Sequence, residues 1–182
     1  ADSSNTDSYL MGFILSKLFS KKLELCILGL EGTGKTTFVN KLMGESKKTV
    51  PTIGLNVKHY KQGRVNMKMW DIGGQFQYRP NWVDYAKLCD VIVFLIDSSN
   101  YDTISSSKKE LHQLLDNKGL ESKPLLILSN KIDIDPHMSE KEIIKELNLD
   151  YVYSNPWAVI NISALKGTNF EEAVIWLEKQ GK

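Results

Sequence analysis

The residues most able to do chemistry lie in Gly29-Leu30-Glu31-Gly32-Thr33-Gly34-Lys35-Thr36, which fits G-x-x-x-x-G-K-[ST]. A glycine-rich turn of this kind, followed by a helix, aims successive backbone N–H groups and the helix's positive end at an anion. The Lys35 ammonium is placed to reach the β- and γ-phosphates of a nucleotide, and the Thr36 hydroxyl to ligate Mg²⁺. Gly29, Glu31, Gly32, Thr33, Gly34, Lys35, Thr36 and the following Thr37 form the expected phosphate-binding set.

Two further groups give the phosphate loop a context. The run Trp70-Asp71-Ile72-Gly73-Gly74-Gln75 closes a β-rich stretch. An aspartate there is where a phosphate-loop protein holds Mg²⁺ or its waters. Asn130-Lys131-Ile132-Asp133 follows a buried apolar run. An aspartate can accept from guanine N1–H and the 2-amino group, whereas facing adenine its buried oxygens would stay unpaired at a cost. The Asn130 amide can hold the base's other edge or its loop, and the aliphatic stem of Lys131 can cover a ring face. Ser163-Ala164-Leu165, after the next strand, can offer a backbone N–H to guanine O6.

These groups need a scaffold, and the hydrophobic pattern supplies one. Short apolar runs at 23–28, 57–60, 65–70, 91–96, 125–128 and 158–162 read as six strands. Helix-spaced apolar residues at 37–43, 104–115, 143–147 and 170–177 alternate with them. Residues 57–60 and 65–70 flank Gln62-Gly63 as a hairpin. The pattern predicts an α/β fold with a six-stranded, mostly parallel sheet and helices on both faces. Ligands of such sheets bind at the carboxyl ends of the strands, where every motif above falls.

Bulk properties narrow the classes. The 182 residues carry 23 basic and 22 acidic side chains for a net charge of +1, which is no footprint for nucleic acid. Cys26 and Cys89 lie in or beside apolar segments and read as reduced, buried thiols. Residues 1–10 are polar and read as a disordered extension, and 23–182 as the nucleotide-binding domain. Between them, Met11, Ile14, Leu15 and Leu18 make one face of an amphipathic helix over 11–22, with Lys17 and Lys21 opposite. That pattern suits a membrane surface, or equally a helix packed on the domain itself. Met11 to Ser16 also fits the myristoylation pattern, with Gly12 as acceptor only if Met11 is the native start.

The segments GLEGTGKTT, PTIGLNV, KMWDIGGQ, SNKID and SAL, in this order and spacing, resemble the small GTPases of the ADP-ribosylation factor (Arf) and Arf-like family over residues 11–182. Residues 79–85 and 110–116 are similar to its lysosomal branch, whereas the Met11-Gly12 start is more like Arf itself. The resemblance implies a P-loop NTPase with the small G-protein fold, using Mg²⁺ and GTP/GDP. It implies Thr52 as the switch threonine that meets Mg²⁺ and the γ-phosphate in the GTP state. Gly74 would contact that phosphate through its N–H, and Gln75 would orient the attacking water, with Lys35 and Thr52 completing the catalytic set. Leu55, Trp70 and Tyr85 take the positions of an effector-binding triad. The hairpin is expected to shift register between states and release the N-terminal helix to a membrane. Exchange factor, GAP and effectors are the implied partners, on the cytosolic face of Golgi or lysosomal membranes.

Three residues depart from the family pattern. Leu55 replaces a phenylalanine of the triad, Thr33 is bulkier than the usual alanine, and Glu31 stands for aspartate. The longer Glu31 carboxylate is expected to crowd an incoming GAP residue. Neither Arg64 nor Arg79 is placed to act as an arginine finger in cis, so hydrolysis without a GAP should be slow. Two rivals remain: a GTP-binding scaffold that does not hydrolyse, against which Gln75 and Thr52 speak, and a P-loop kinase, which needs lid arginines this chain lacks.

Overall fold

The computed structural model describes residues 21–44, 49, 52–62 and 65–181. The extension, the acceptor Gly12 and residues 11–20 of the expected amphipathic helix lie outside these, as do Gly63 and Arg64 in the hairpin turn. Lys21 and Lys22, expected at the helix's end, instead open the first strand. That strand can start early because β3 pairs with it from Lys21↔Val65 onward.

The chain runs β1 (Lys21–Leu28), α1 (Lys35–Leu42), β2 (Leu55–Gln62), β3 (Val65–Ile72), α2 (Trp82–Leu88), β4 (Val91–Asp97), α3 (Ile104–Leu115), β5 (Leu125–Asn130), α4 (Glu140–Glu146), β6 (Trp157–Asn161) and α5 (Phe170–Gln180). The strands order as β2-β3-β1-β4-β5-β6. Among the described strands only β2 runs antiparallel to its neighbour. All six expected strands form, with ends moved by one or two residues.

Alternation along each central strand splits the core. Leu25, Ile27, Val93 and Leu95 face one layer with Phe38 and Val39 of α1 and Ala173 and Leu177 of α5. Cys26, Leu28, Ile92 and Phe94 face the other, against Trp82 of α2, Leu111 of α3 and Ile143 of α4. Strands buried on both sides need continuous apolar runs, which is why β4 and β5 were plain in the sequence. Cys26 and Cys89 are buried free thiols, and burial, with Cys89 alongside, pushes the Cys26 thiol up. A reciprocal capping box starts α4, Ser139 accepting from Glu142 N–H while the Glu142 carboxylate accepts from Ser139 N–H.

The result for function is one crowded edge. The carboxyl ends of β1, β3, β4 and β5 deliver residues 29, 73, 98 and 131 to the same rim.

Candidate nucleotide site

The phosphate loop bridges β1 and α1 and is closed by its own side chains. Thr33, 2 % exposed, donates its hydroxyl to the Leu30 carbonyl at 2.9 Å. The bulk that set Thr33 apart is therefore an internal brace. Lys35 Nζ folds back to the carbonyls of Gly29 (2.9 Å) and Leu30 (2.8 Å). Burial pushes its pKa down to about 8; Asp71 and Glu31 pull the other way, and nearby Arg79 adds to the depression. A buried ammonium whose hydrogen bonds go to carbonyls lacks a directly bonded anion, which a polyphosphate supplies. No side chain caps α1 at Gly34, so the first-turn N–H groups are left for an anion.

Asn130 locks the loop to the base-side rim. Its Nδ2 donates to Thr33 O at 2.8 Å, and its Oδ1 accepts from Ala164 N–H at 2.9 Å. Gly34, at φ +95°, lies so near that a Cβ there would run into the Asn130 amide. Asn130 thus holds the two loops together, and the Ala164 N–H is given to it. Ser163 donates to Asp133 Oδ1 at 2.7 Å and accepts from Lys166 N–H, fixing the carboxylate while leaving Asp133 exposed. Lys131 takes the left-handed backbone region at φ +71°. Its Nζ pairs with Asp97 Oδ2 at 2.6 Å.

Asp97 was not singled out from the sequence. Its one local sign is that it ends the apolar run of β4; the β4–β5 register sets it opposite Asn130, one residue from Lys131. Ser99 fixes its other oxygen through N–H (3.0 Å) and hydroxyl (2.6 Å) donors.

A cluster of hard oxygens stands beside Lys35. Thr36 donates to Asp71 Oδ2 at 2.7 Å, Thr52 lies at 3.4 Å from the same atom, and the two hydroxyls are 2.8 Å apart. Asp71 Oδ1 is buried and has no hydrogen-bond partner among the described residues. Burial raises the Asp71 pKa against the pull of Thr36, Lys35, Thr52 and Lys58. Two hydroxyls and a carboxylate whose second, buried oxygen is orphaned are the kind of hard-oxygen donors Mg²⁺ prefers. The residues present fit that ion.

The turn after β3 packs on the phosphate loop. Gly73 N–H donates to Gly54 O at 2.8 Å, tying this turn to the Thr52 segment. A Cβ on Gly74 would lie 2.6 Å from Glu31 N, so only glycine lets the turn sit so close. Gln75 Nε2 donates to Glu31 Oε1 at 3.2 Å, which gives the unusual Glu31 a contact. Glu31, Lys35, Thr36, Thr52, Gly74, Gln75 and Lys131 line one cleft of ≈ 420 Å³.

The expected effector positions share a neighbourhood away from this cleft. Trp70 packs on Tyr85 with ring centroids 5.9 Å apart, carries Lys68 over its face at 4.4 Å, and donates to Glu24. The antiparallel register sets Val57 opposite Trp70 and Leu55 opposite Ile72. Leu55 and Val57 are each 37 % exposed. Trp70 and Tyr85 are half-buried, which an ordinary core pair would not be.

Strand order, phosphate loop and oxygen cluster together define a P-loop nucleotide-binding domain of the small G-protein type. Residues 11–181 match the ADP-ribosylation factor family. ADP-ribosylation factor-like protein 8b of Arabidopsis thaliana is 35 % identical over 175 residues, covering 95 % of each chain. ADP-ribosylation factor-like protein 1 of Saccharomyces cerevisiae is 38 % identical over 174 residues, covering 92 % of this chain and 95 % of its own. Among solved structures, the Arl6 BBS3 small GTPase from Trypanosoma brucei with the nucleotide analogue GppNp bound superposes with a TM-score of 0.79 at 28 % identity, covering 87 % of this chain and 96 % of that one. The chain belongs to the ADP-ribosylation factor family of small GTPases.

Proposed function

We propose that the chain is a GTP/GDP switch that binds its nucleotide with Mg²⁺, hydrolyses GTP slowly unless a GAP assists, and recruits effectors at an endomembrane. The observation that carries this reading is the Thr36–Thr52–Asp71 oxygen cluster beside the buried Lys35 ammonium. Thr36 sits in the phosphate loop, whereas Thr52 arrives from a segment 16 residues away. A site that draws its ligands from two separate segments can couple nucleotide state to the position of one of them.

Mg²⁺ bound there supplies charge neutralisation of the phosphates. The chain's own residues do the rest. Lys35 leaves the Gly29 and Leu30 carbonyls for the β- and γ-phosphates, and the N–H groups of 32–37 surround the phosphate chain. Asp133 receives guanine N1–H and the 2-amino group, Lys131 covers the base, and a backbone N–H of the turn Ser163 to Leu165 meets O6, that of Leu165 being the one not given to Thr168 or Asn130. Gln75 orients the attacking water for GTP + H₂O → GDP + phosphate, which requires it to turn from Glu31. Arg79 is committed to Gly74 O and Glu110, so no described arginine is free to stabilise the transition state in cis. A GAP is the natural source of that charge.

Leu55, Trp70 and Tyr85 offer the effector surface, and the segment 11–20 the membrane contact, with Gly12 acylated where Met11 is the native start. The hairpin of β2 and β3 is the element expected to slide between states. The likeness of residues 79–85 and 110–116 to the lysosomal branch of the family supports a lysosomal or late endosomal membrane. Fluorescent GDP binding with and without Mg²⁺ tests the site: tight binding that loosens on chelation supports it, and Asp71→Asn should abolish the Mg²⁺ dependence. Single-turnover hydrolysis against Gln75→Leu separates a GTPase from a non-hydrolysing scaffold, for which the two rates would be equal.

A further inference from the structure

The turn that carries Gly74 and Gln75 has a support outside the nucleotide cleft. Arg79 Nε donates to Gly74 O at 3.1 Å, and Arg79 Nη1 donates to Glu110 Oε1 at 2.9 Å. Glu110 belongs to α3, a helix packed on the core and remote in sequence from the turn. The ion pair is largely shielded, with side chains 19 % and 15 % exposed. On the opposite side Gly74 abuts the phosphate-loop backbone at Glu31.

Resting on the switch reading above, we propose that Glu110 is a positioning residue for γ-phosphate recognition, acting through Arg79. Trp82 Nε1 holds the Gly73–Gly74 peptide, which carries the Gly74 N–H, by donating to Gly73 O at 3.2 Å, but glycine at 74 lets the next peptide plane turn at little steric cost. The Gly74 carbonyl belongs to the Gly74–Gln75 peptide, so fixing it orients that plane and sets the backbone from which the Gln75 side chain departs. The planar guanidinium is suited to the task, because one fork bonds the carbonyl while the other is anchored by the carboxylate. A rigid helix thereby sets the geometry of a glycine turn that has little intrinsic preference. The α- and β-phosphates and the base are held by other elements, so the effect falls on GTP and spares GDP.

The test compares the affinities of GDP and of a non-hydrolysable GTP analogue for the full chain and for Glu110→Gln, which keeps the shape and removes the charge. The expected result is a GTP-analogue to GDP affinity ratio lowered roughly tenfold, as befits loss of a charged hydrogen bond, with GDP affinity held within twofold. Arg79→Lys keeps the charge but lacks the fork and should lower the ratio similarly. In an Arg79→Met background, Glu110→Gln should change the ratio no further, and in the normal background Glu110→Asp, which keeps the charge, should lower it less than Glu110→Gln does. A merely structural ion pair would weaken both nucleotides in parallel. A ratio unchanged in Glu110→Gln and Arg79→Lys, or GDP and GTP analogue falling together, overturns the proposal. Failure of the unaltered chain to bind either guanine nucleotide would instead overturn the switch reading itself.

Discussion

Asn130 is the residue whose removal the structure prices most clearly. It is 2 % exposed and joins two loops, donating to Thr33 O and accepting from Ala164 N–H. Asn130→Ala removes two hydrogen bonds of about 1 kcal/mol net each and strands a buried carbonyl and a buried N–H. With partial relief by entering water, the expected loss is about 2–4 kcal/mol, or about 5–15 °C in Tm for a chain of this size. Gly34→Ala should act on the same point, since its Cβ would displace the Asn130 amide and its φ of +95° disfavours any side chain. Because both changes break one contact, the double variant should fall short of the sum by about 1.5 kcal/mol or more. Urea unfolding of nucleotide-free protein in chelator reads this without a contribution from ligand binding. Additivity within about 0.5 kcal/mol would refute the claim that Gly34 is glycine to admit Asn130.

Other outcomes follow from the same geometry. Lys35 has a folded pKa of about 8 against 10.5 unfolded. In nucleotide-free protein the unfolded chain therefore holds a proton that the folded chain has shed across this window. Stability should rise between pH 8 and 10.5 by about 3 kcal/mol relative to Lys35→Met, as followed by unfolding in chelator; an identical profile in the two proteins would contradict the burial argument. Asp97→Ala should release Lys131 and speed fluorescent GDP dissociation about tenfold, because a shielded ion pair is broken. Thr52→Ala should weaken binding of a GTP analogue while leaving GDP affinity near normal, measured by equilibrium titration.

Most of the fold was legible because each β4- or β5-type strand is buried on both faces and must be written as an unbroken apolar run. The phosphate loop and the Asn130–Asp133 motif were legible for a different reason: their chemistry depends on backbone shape and on fixed residue types at fixed spacing. Pairings between side chains on remote segments were not. Nothing local to Glu110 says that it meets Arg79, 31 positions away. Asp97 looked like the end of a strand until the β4–β5 register set it opposite Asn130. Glu31 and Thr33 looked anomalous in the sequence, yet one bonds Gln75 and the other braces Leu30 O. The short turns at Phe76–Asn81 and Tyr101–Thr103 carry no periodic signal and appear only once packed.

The central claim is that this cleft holds a guanine nucleotide, and competition against bound fluorescent GDP tests it most directly. Unlabelled GDP and GTP should displace the probe, whereas ADP and ATP should need roughly hundredfold higher concentration, because adenine leaves the Asp133 carboxylate without donors. Displacement by ADP at the same concentration as GDP would contradict the account.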